Sequence, residues 1–447
     1  MNVVIALILL IFCLVIGVPV ALCFLVSATF LAFINGADPV MLVSYGFKSI
    51  NTVLLLTIPL FVLAGSLINN GGLGEKLVGA VEKTSLGKIR GGLGIVTSIS
   101  CAVFGAVSGS SSATVSCIGS IMAPKMKENG YPDGLVGALV ASTGVLGLLI
   151  PPSMLMILFA WAANVSVLGC FLATVVPGIL LTALLGIVNC YLYRGYEKRG
   201  QLRKRADLAD HMIQVANLRE DIKAEKAAHK GGESPILALL MPVIILGSIY
   251  TGILTATEAA ALSVFYAIPV GAIYYKKITW KTYRIALVDA GKSAGTIMSM
   301  LLAVQILSRL YMTENLPNMI LGALTSISDN NYIILLMINI FMVIMGMLMD
   351  DCSCTILLTP ILYPIMMELG IHPLHYAAIL GVNIGMGNIT PPTAPLLYLS
   401  GRVTGAQVKE MLKPTLIFIA LAWTPVLLIT TYIPIFSTFL PGLFGYV

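Results

Sequence analysis

"FGAVSGSSSATVSCIGS", residues 104–120, gathers Ser108, Ser110, Ser111, Ser112, Thr114 and Ser116 in one short stretch of a chain that is otherwise strongly apolar. Of the 447 residues, 58% are hydrophobic and 10% charged, with a mean hydropathy of +0.96. A soluble domain carries about 25% charged residues, so the composition places the chain in the polytopic membrane class. Apolar runs such as Val3 to Val15, Val53 to Ile68, Leu172 to Tyr193, Ile236 to Ile253, Ile333 to Met349 and Leu416 to Ile433 approach or exceed the roughly 20 residues that span a bilayer as a helix. They lack the alternation that membrane strands need, so an all-α protein is expected. "MNVVIALILL" has no basic residue before its apolar core and reads as a retained first span rather than a cleaved signal.

The serine stretch has a counterpart. Sliding the chain along itself by 240 residues superposes Pro124 on Pro364, Gly130 on Gly370, Gly147 on Gly387, and Pro151-Pro152 on Pro391-Pro392. The same offset sets "SGSSSAT" against "LMDDCSC", so both halves have a polar cluster upstream of Gly-x-x-x-Pro-Pro. Two copies of one architecture follow. Domain organisation is then a first repeat over 1–193, a charged linker over 194–234 and a second repeat over 235–447.

Charge orients the copies, because Lys and Arg collect in short cytoplasmic loops. The first half has Lys76, Lys83, Lys88, Arg90, Lys125 and Lys127, whereas positions 316–330 and 365–367 have no basic residue. The second half has Lys276, Lys277, Lys281, Arg284, Arg402, Lys409 and Lys413, whereas positions 36–44 and 162–173 have none. Every basic loop faces a non-basic twin, the signature of inverted repeats. Both termini are then periplasmic and the linker cytoplasmic, with a surface helix expected over Ala206 to Ala228. This asymmetry also accounts for the net charge of +6 without a nucleic-acid partner.

From Gly92 to Pro124 there are 33 residues, too few for two crossings of about 20 each. A re-entrant hairpin over about 92–125 with its tip at Ser108 to Ser112 is predicted, and a second over about 331–366 with Asp350 and Asp351 at its tip. Unwound backbone at membrane depth is tolerated only against protein or a water-filled cavity. A carboxylate at that depth is read as functional, usually as a ligand for a coupling cation. "GLLIPP" and "GNITPP" place Gly four residues before a double proline, which predicts broken helices over about 134–165 and 374–400. Carbonyls of Gly147 to Ile150 and Gly387 to Thr390, with hydroxyls of Ser153, Thr390 and Thr393, suit a hard cation, and the all-oxygen set favours sodium over a transition metal. Half-helix N-termini suit an anionic substrate.

These residues resemble a known family. "GSSSATVSCIGSIMAPKMKENGY", "LVASTGVLGLLIPPS", "GMLMDDCSCTILLTPILYPI" and "GNITPP", with "IPLFVLAG" and "TATEAAALSVFYA", are similar to the large membrane subunit of the tripartite ATP-independent periplasmic (TRAP) transporters over residues 1 to 435. The resemblance implies the ion-transporter superfamily fold, with a transport domain carrying both hairpins that moves as an elevator against a scaffold. It implies sodium-driven import of a dicarboxylate, sialic acid or sugar acid across a bacterial inner membrane, with no catalysis and no organic cofactor. A periplasmic binding protein and a small membrane subunit, on a separate chain, are the implied partners. Carried over by position, sodium sites fall on Ser110, Ser111, Ser112 and the Gly147 loop to Ile150 in one half, and on Asp350 and the Gly387 to Pro391 loop, with Thr390, in the other; the residue reading adds Asp351, as an alternative to Asp350, and Thr393. The expected substrate contacts are Ser108, Gly109, Ser153, Asn388 and Pro391, with Arg309 a candidate counter-charge. The sequence departs from the family at Asp351, where an uncharged residue is usual, and at "TPPTAP", where Thr-Pro-Pro-x-Gly is commoner.

Other classes leave weaker traces. A membrane-embedded serine hydrolase lacks a Gly-x-Ser-x-Gly elbow, and a passive channel does not need paired hairpins. A stand-alone sodium/carboxylate carrier of the same superfamily is the nearest rival.

Overall fold

The structure is a computed structural model describing residues 2–202 and 234–447; the helix expected over Ala206 to Ala228 lies outside the described residues. Every element among the described residues is helical. Among the described residues, six helices are long and apolar enough to cross a membrane, including Val53–Asn70, Val167–Lys198, Trp280–Thr313 and Asn331–Leu348. A seventh span is a pair, Asp133–Leu149 and Met154–Ala163, bent by 43°. Large apolar side chains point outward on the flanking helices, Phe33 at 88% exposure being the extreme, as lipid-facing surface requires.

The interval of 240 residues reappears in the helices. The first hairpin pairs Gly92–Ser108 with Ser111–Glu128, and the second pairs Asn331–Leu348 with Asp351–Glu368. Both return helices therefore begin and end at offset-equivalent residues. After each hairpin comes an interrupted helix: Asp133–Gly144 with Leu146–Leu149 and then Met154–Ala163 in the first half, and Pro373–Gly387 then Pro395–Thr404 in the second.

The breaks follow from local chemistry. Gly109 ends the first hairpin's entering helix at φ +61°, a left-handed conformation that glycine adopts without penalty. Ser110 then caps the return helix, its hydroxyl accepting from Ala113 N, and Asp350 does the same from Ser353 N. The double prolines, both with cis peptides, interrupt the helical donors. Helices restart after them at Ser153, whose hydroxyl accepts from Met156 N, and at Ala394, which holds φ +28° and ψ 71°.

Packing is exchanged between the halves. Phe159, on the second half-helix of the first repeat, meets Tyr363 of the second hairpin edge-on at 6.3 Å. Reciprocally, Lys127 of the first hairpin donates to Thr404 O at 2.6 Å, and a Cβ on Gly119 would stand 3.0 Å from Val403. Ser400 adds a buried bond to Gly137 O at 2.7 Å. Each return helix thus lies on the second half-helix of the other repeat, as two oppositely directed copies meeting at their tips require.

Candidate functional site

Where the two hairpin tips meet, a cavity of about 730 Å³ opens. Ser108, Ser110, Ser111, Ser112 and Ser116 line it from the first hairpin, and Asp350, Asp351 and Cys352 from the second. Asn388 and Met154 reach it from the two helix breaks. The volume suits a small metabolite.

Polar groups at the tips are tied together. Ser111, 2% exposed, donates to Asp351 Oδ2 at 2.8 Å. Asp351 Oδ1 accepts from Cys352 N at 3.1 Å. Asp350 accepts from both the backbone N–H and the hydroxyl of Ser353. Ser110 and Ser112 share a hydrogen bond at 3.1 Å, and Ser108 bonds Thr114 at 3.3 Å. The donor atoms of Asp350, Asp351 and Cys352 lie within 4.8 Å of one another. Both return helices start here, so their positive dipole ends converge on the cavity, while Ala113 N, Cys352 N and Ser353 N are already taken up by Ser110, Asp351 and Asp350.

Gly109 and Gly147 hold the tip against the first break. Gly109 O accepts from Met154 N at 3.1 Å, and a Cβ on Gly109 would lie 2.7 Å from Pro152 O. A Cβ on Gly147 would lie 2.6 Å from Thr114 Oγ1 and 2.7 Å from Ser110 O. Ile150 is the C-cap of Leu146–Leu149 and packs beside Gly178. In the second half, Gly387 abuts Gly346 and Val343 O, each 2.7 Å from where its Cβ would be. Thr390 donates to Met386 O at 2.6 Å, and Thr393 donates to Met347 O. The Gly387 carbonyl accepts from Thr390 N and the Asn388 carbonyl from Leu396 N, so the carbonyls of this second break are only partly free of protein partners. With its amide turned, Asn388 donates to Gly346 O at 3.0 Å and Met349 O at 3.3 Å. Pro391 belongs to the same break.

Arg309 is not brought to the cavity. Its guanidinium stacks on the Tyr45 ring at 5.4 Å from the centroid, a cation–π contact on another side of Trp280–Thr313.

A further part of the cavity lining was not foreseen from the sequence. Trp280–Thr313 contributes Asp289, Ser293, Thr296 and Met300, and Thr57–Asn70 contributes Val62, Gly65, Ser66 and Asn69. Their spacings, i, i+4, i+7, i+11 and i, i+3, i+4, i+7, are those of a single helix face. That periodicity is visible in the sequence as a polar stripe on an apolar span.

Residues 7–436 match the family model described as the tripartite ATP-independent periplasmic transporter, DctM component. The chain belongs to the DctM family. It is 35% identical over 395 residues to the C4-dicarboxylate TRAP transporter large permease protein DctM of Pseudomonas aeruginosa, covering 88% of this chain and 87% of that one. It is 34% identical over 433 residues to the isethionate TRAP transporter permease protein DctMQ of Oleidesulfovibrio alaskensis, covering 96% of this chain and 65% of the relative. This chain thus spans about two thirds of the length of that DctMQ relative. Among solved structures, the Alcanivorax borkumensis YdaH transporter shares the fold, with a TM-score of 0.57 at 16% identity over 86% of this chain and 85% of that one. The DctM chain described here is therefore a multi-pass membrane protein of a transporter family rather than an enzyme.

Proposed function

We propose that this DctM chain is the carrier subunit for sodium-coupled import of a small organic acid across a bacterial inner membrane. The observation that carries the proposal is the contact of Ser111 with Asp351 across the two hairpin tips, at the floor of a cavity of about 730 Å³. The groups there are oxygen donors with two helix N-termini, a set able to hold sodium beside an anion.

In this reading Ser110, Ser111, Ser112 and the Gly147 to Ile150 turn supply oxygen ligands to one sodium ion. Asp350, Asp351, Thr390, Thr393 and the Gly387 turn supply them to another. Each ion screens tip carboxylate or carbonyl charge and draws its hairpin onto the adjoining break. The substrate acid then rests on Ser108, Gly109, Ser153, Asn388 and Pro391. The hairpins and broken helices move together past the remaining spans in an elevator cycle. Both termini face the periplasm and 194–234 the cytoplasm. A separate small membrane subunit completes the permease, and a periplasmic binding protein delivers the acid. The relative named for isethionate and the relative named for C4-dicarboxylate support an acid as cargo.

The test is uptake of radiolabelled succinate, isethionate and sialic acid by proteoliposomes holding the chain and its small subunit, with the binding protein outside. Uptake that requires an inward sodium gradient and the binding protein is expected. Uptake indifferent to sodium removes the role assigned to the tips, and uptake without the binding protein converts the reading to a stand-alone carrier.

A further inference from the structure

The charge of the cavity is at odds with a dianionic cargo. Asp289, Asp350 and Asp351 line it, and none of its described lining residues is Lys, Arg or His. Arg309 is held on Tyr45. Sodium ions at the tips would offset the two tip aspartates, and the two helix N-termini can hold one anionic group. Asp289 is left over. It stands on Trp280–Thr313, which belongs to neither hairpin, with Ser293 and Thr296 one and two turns further along the same lining face.

We propose that Asp289 selects cargo by charge: the transported acid carries a protonated amine, which Asp289 receives while the acid group rests at the hairpin tips. This deepens, and rests on, the assignment of the cavity as the substrate site. The substrate class is a small amino acid or aminosulfonate, compact enough to reach from the tips to the facing helix. Ser293 and Thr296 offer further acceptors to the same ammonium group. A second carboxylate in place of the amine would face Asp289 with like charge and no basic residue in the cavity lining; Lys292, three positions on along the same helix, is exposed outside that lining.

Taurine and isethionate isolate the question, since they differ only in an ammonium or a hydroxyl on the same two-carbon sulfonate. The purified permease, with its small subunit, is titrated with each in saturating sodium, and apparent affinity is read from thermal stabilisation. Taurine is expected to bind roughly fivefold more tightly, the upper range for a solvent-reached ion pair. The preference should vanish in Asp289→Asn and persist in Asp289→Glu. A taurine-to-isethionate ratio that Asp289→Asn leaves unchanged, whatever its value, overturns the proposal. The sodium increment in melting temperature, measured without either ligand, reports that each variant is folded. The sodium-gradient uptake assay, run with radiolabelled taurine beside the other acids, tests the carrier reading separately, so either claim can fail alone.

Discussion

Ser111 donates to Asp351 at 2.8 Å, and the two residues are 240 positions apart, the interval that carries one repeat onto the other. A residue that touches its own repeat-mate lies on the axis relating the copies. The pseudo-twofold axis therefore passes between a hydroxyl and a carboxylate, and the symmetry is broken at its centre by chemistry rather than by shape. Replacing Ser111 by Ala removes the one side-chain donor to Asp351 among the described residues, at a cost of about 1 kcal/mol for a part-buried acceptor left short. The Ser111→Ala variant should lose both melting temperature and sodium-driven uptake. An unchanged melting temperature in sodium would show that the two tips are not held through this bond.

Asp350 has an observed capping role and a proposed role as a sodium ligand, and mutation can separate the two. Its carboxylate caps Asp351–Glu368 through Ser353 N and is also placed here as a sodium ligand. Asn keeps the cap, whereas Ala loses it at about 0.5–2 kcal/mol. Asp350→Asn should melt near the wild-type temperature in potassium yet show little added stability in sodium. Asp350→Ala should be lower in both salts. Equal sodium increments in Asp350→Asn and wild type would remove the ion-ligand role.

Ala394 occupies a backbone position suited to glycine. At φ +28° and ψ 71°, fully buried, its Cβ costs on the order of 1 kcal/mol that glycine would not incur. Ala394→Gly should raise the thermal midpoint of the purified permease. A fall would show that the alanine methyl contributes more by packing than the backbone loses by strain.

Lys127 links the base of the first hairpin to the far repeat, donating to Thr404 O at 2.6 Å while pairing with Asp133 at 2.8 Å. Its side chain is only 12% exposed, so Lys127→Met should destabilise by about 2 kcal/mol, below the 3–5 kcal/mol of a fully buried pair. Thermal melting of the Met and Arg variants checks this, with Arg expected to retain part of the loss. Identical midpoints for wild type and Lys127→Met would place the cohesion of the two halves elsewhere.

Much of the architecture is legible in the sequence because its causes are local. The double prolines, Gly109 and the capping residues Ser110 and Asp350 each act within a turn of their own position, and the helices break where they stand. The rest of the cavity lining is less legible. Asp289, Ser293 and Thr296 sit on a span that reads as scaffold, and only the tertiary arrangement turns their face toward Ser111 and Asp351. Arg309 shows the converse: a lone arginine on an apolar helix suggests an anion, but Tyr45, more than 250 residues earlier in the chain, supplies its partner. The carbonyls of the second proline break are likewise only partly free, since Thr390 N and Leu396 N take up those of Gly387 and Asn388.

The exchanged packing of the two halves has a consequence for how the protein is made. During synthesis the first hairpin enters the bilayer long before the helix that will cover Gly119 and receive Lys127 has left the ribosome. Its serine-rich tip gains Asp351 only when the second hairpin is made, and the Pro395–Thr404 helix later still. A chain interrupted in the 194–234 linker would thus leave a first half whose Ser111 lacks its acceptor Asp351 and whose Gly119 face lacks its cover. Co-production of the two fragments would be needed to rescue either one.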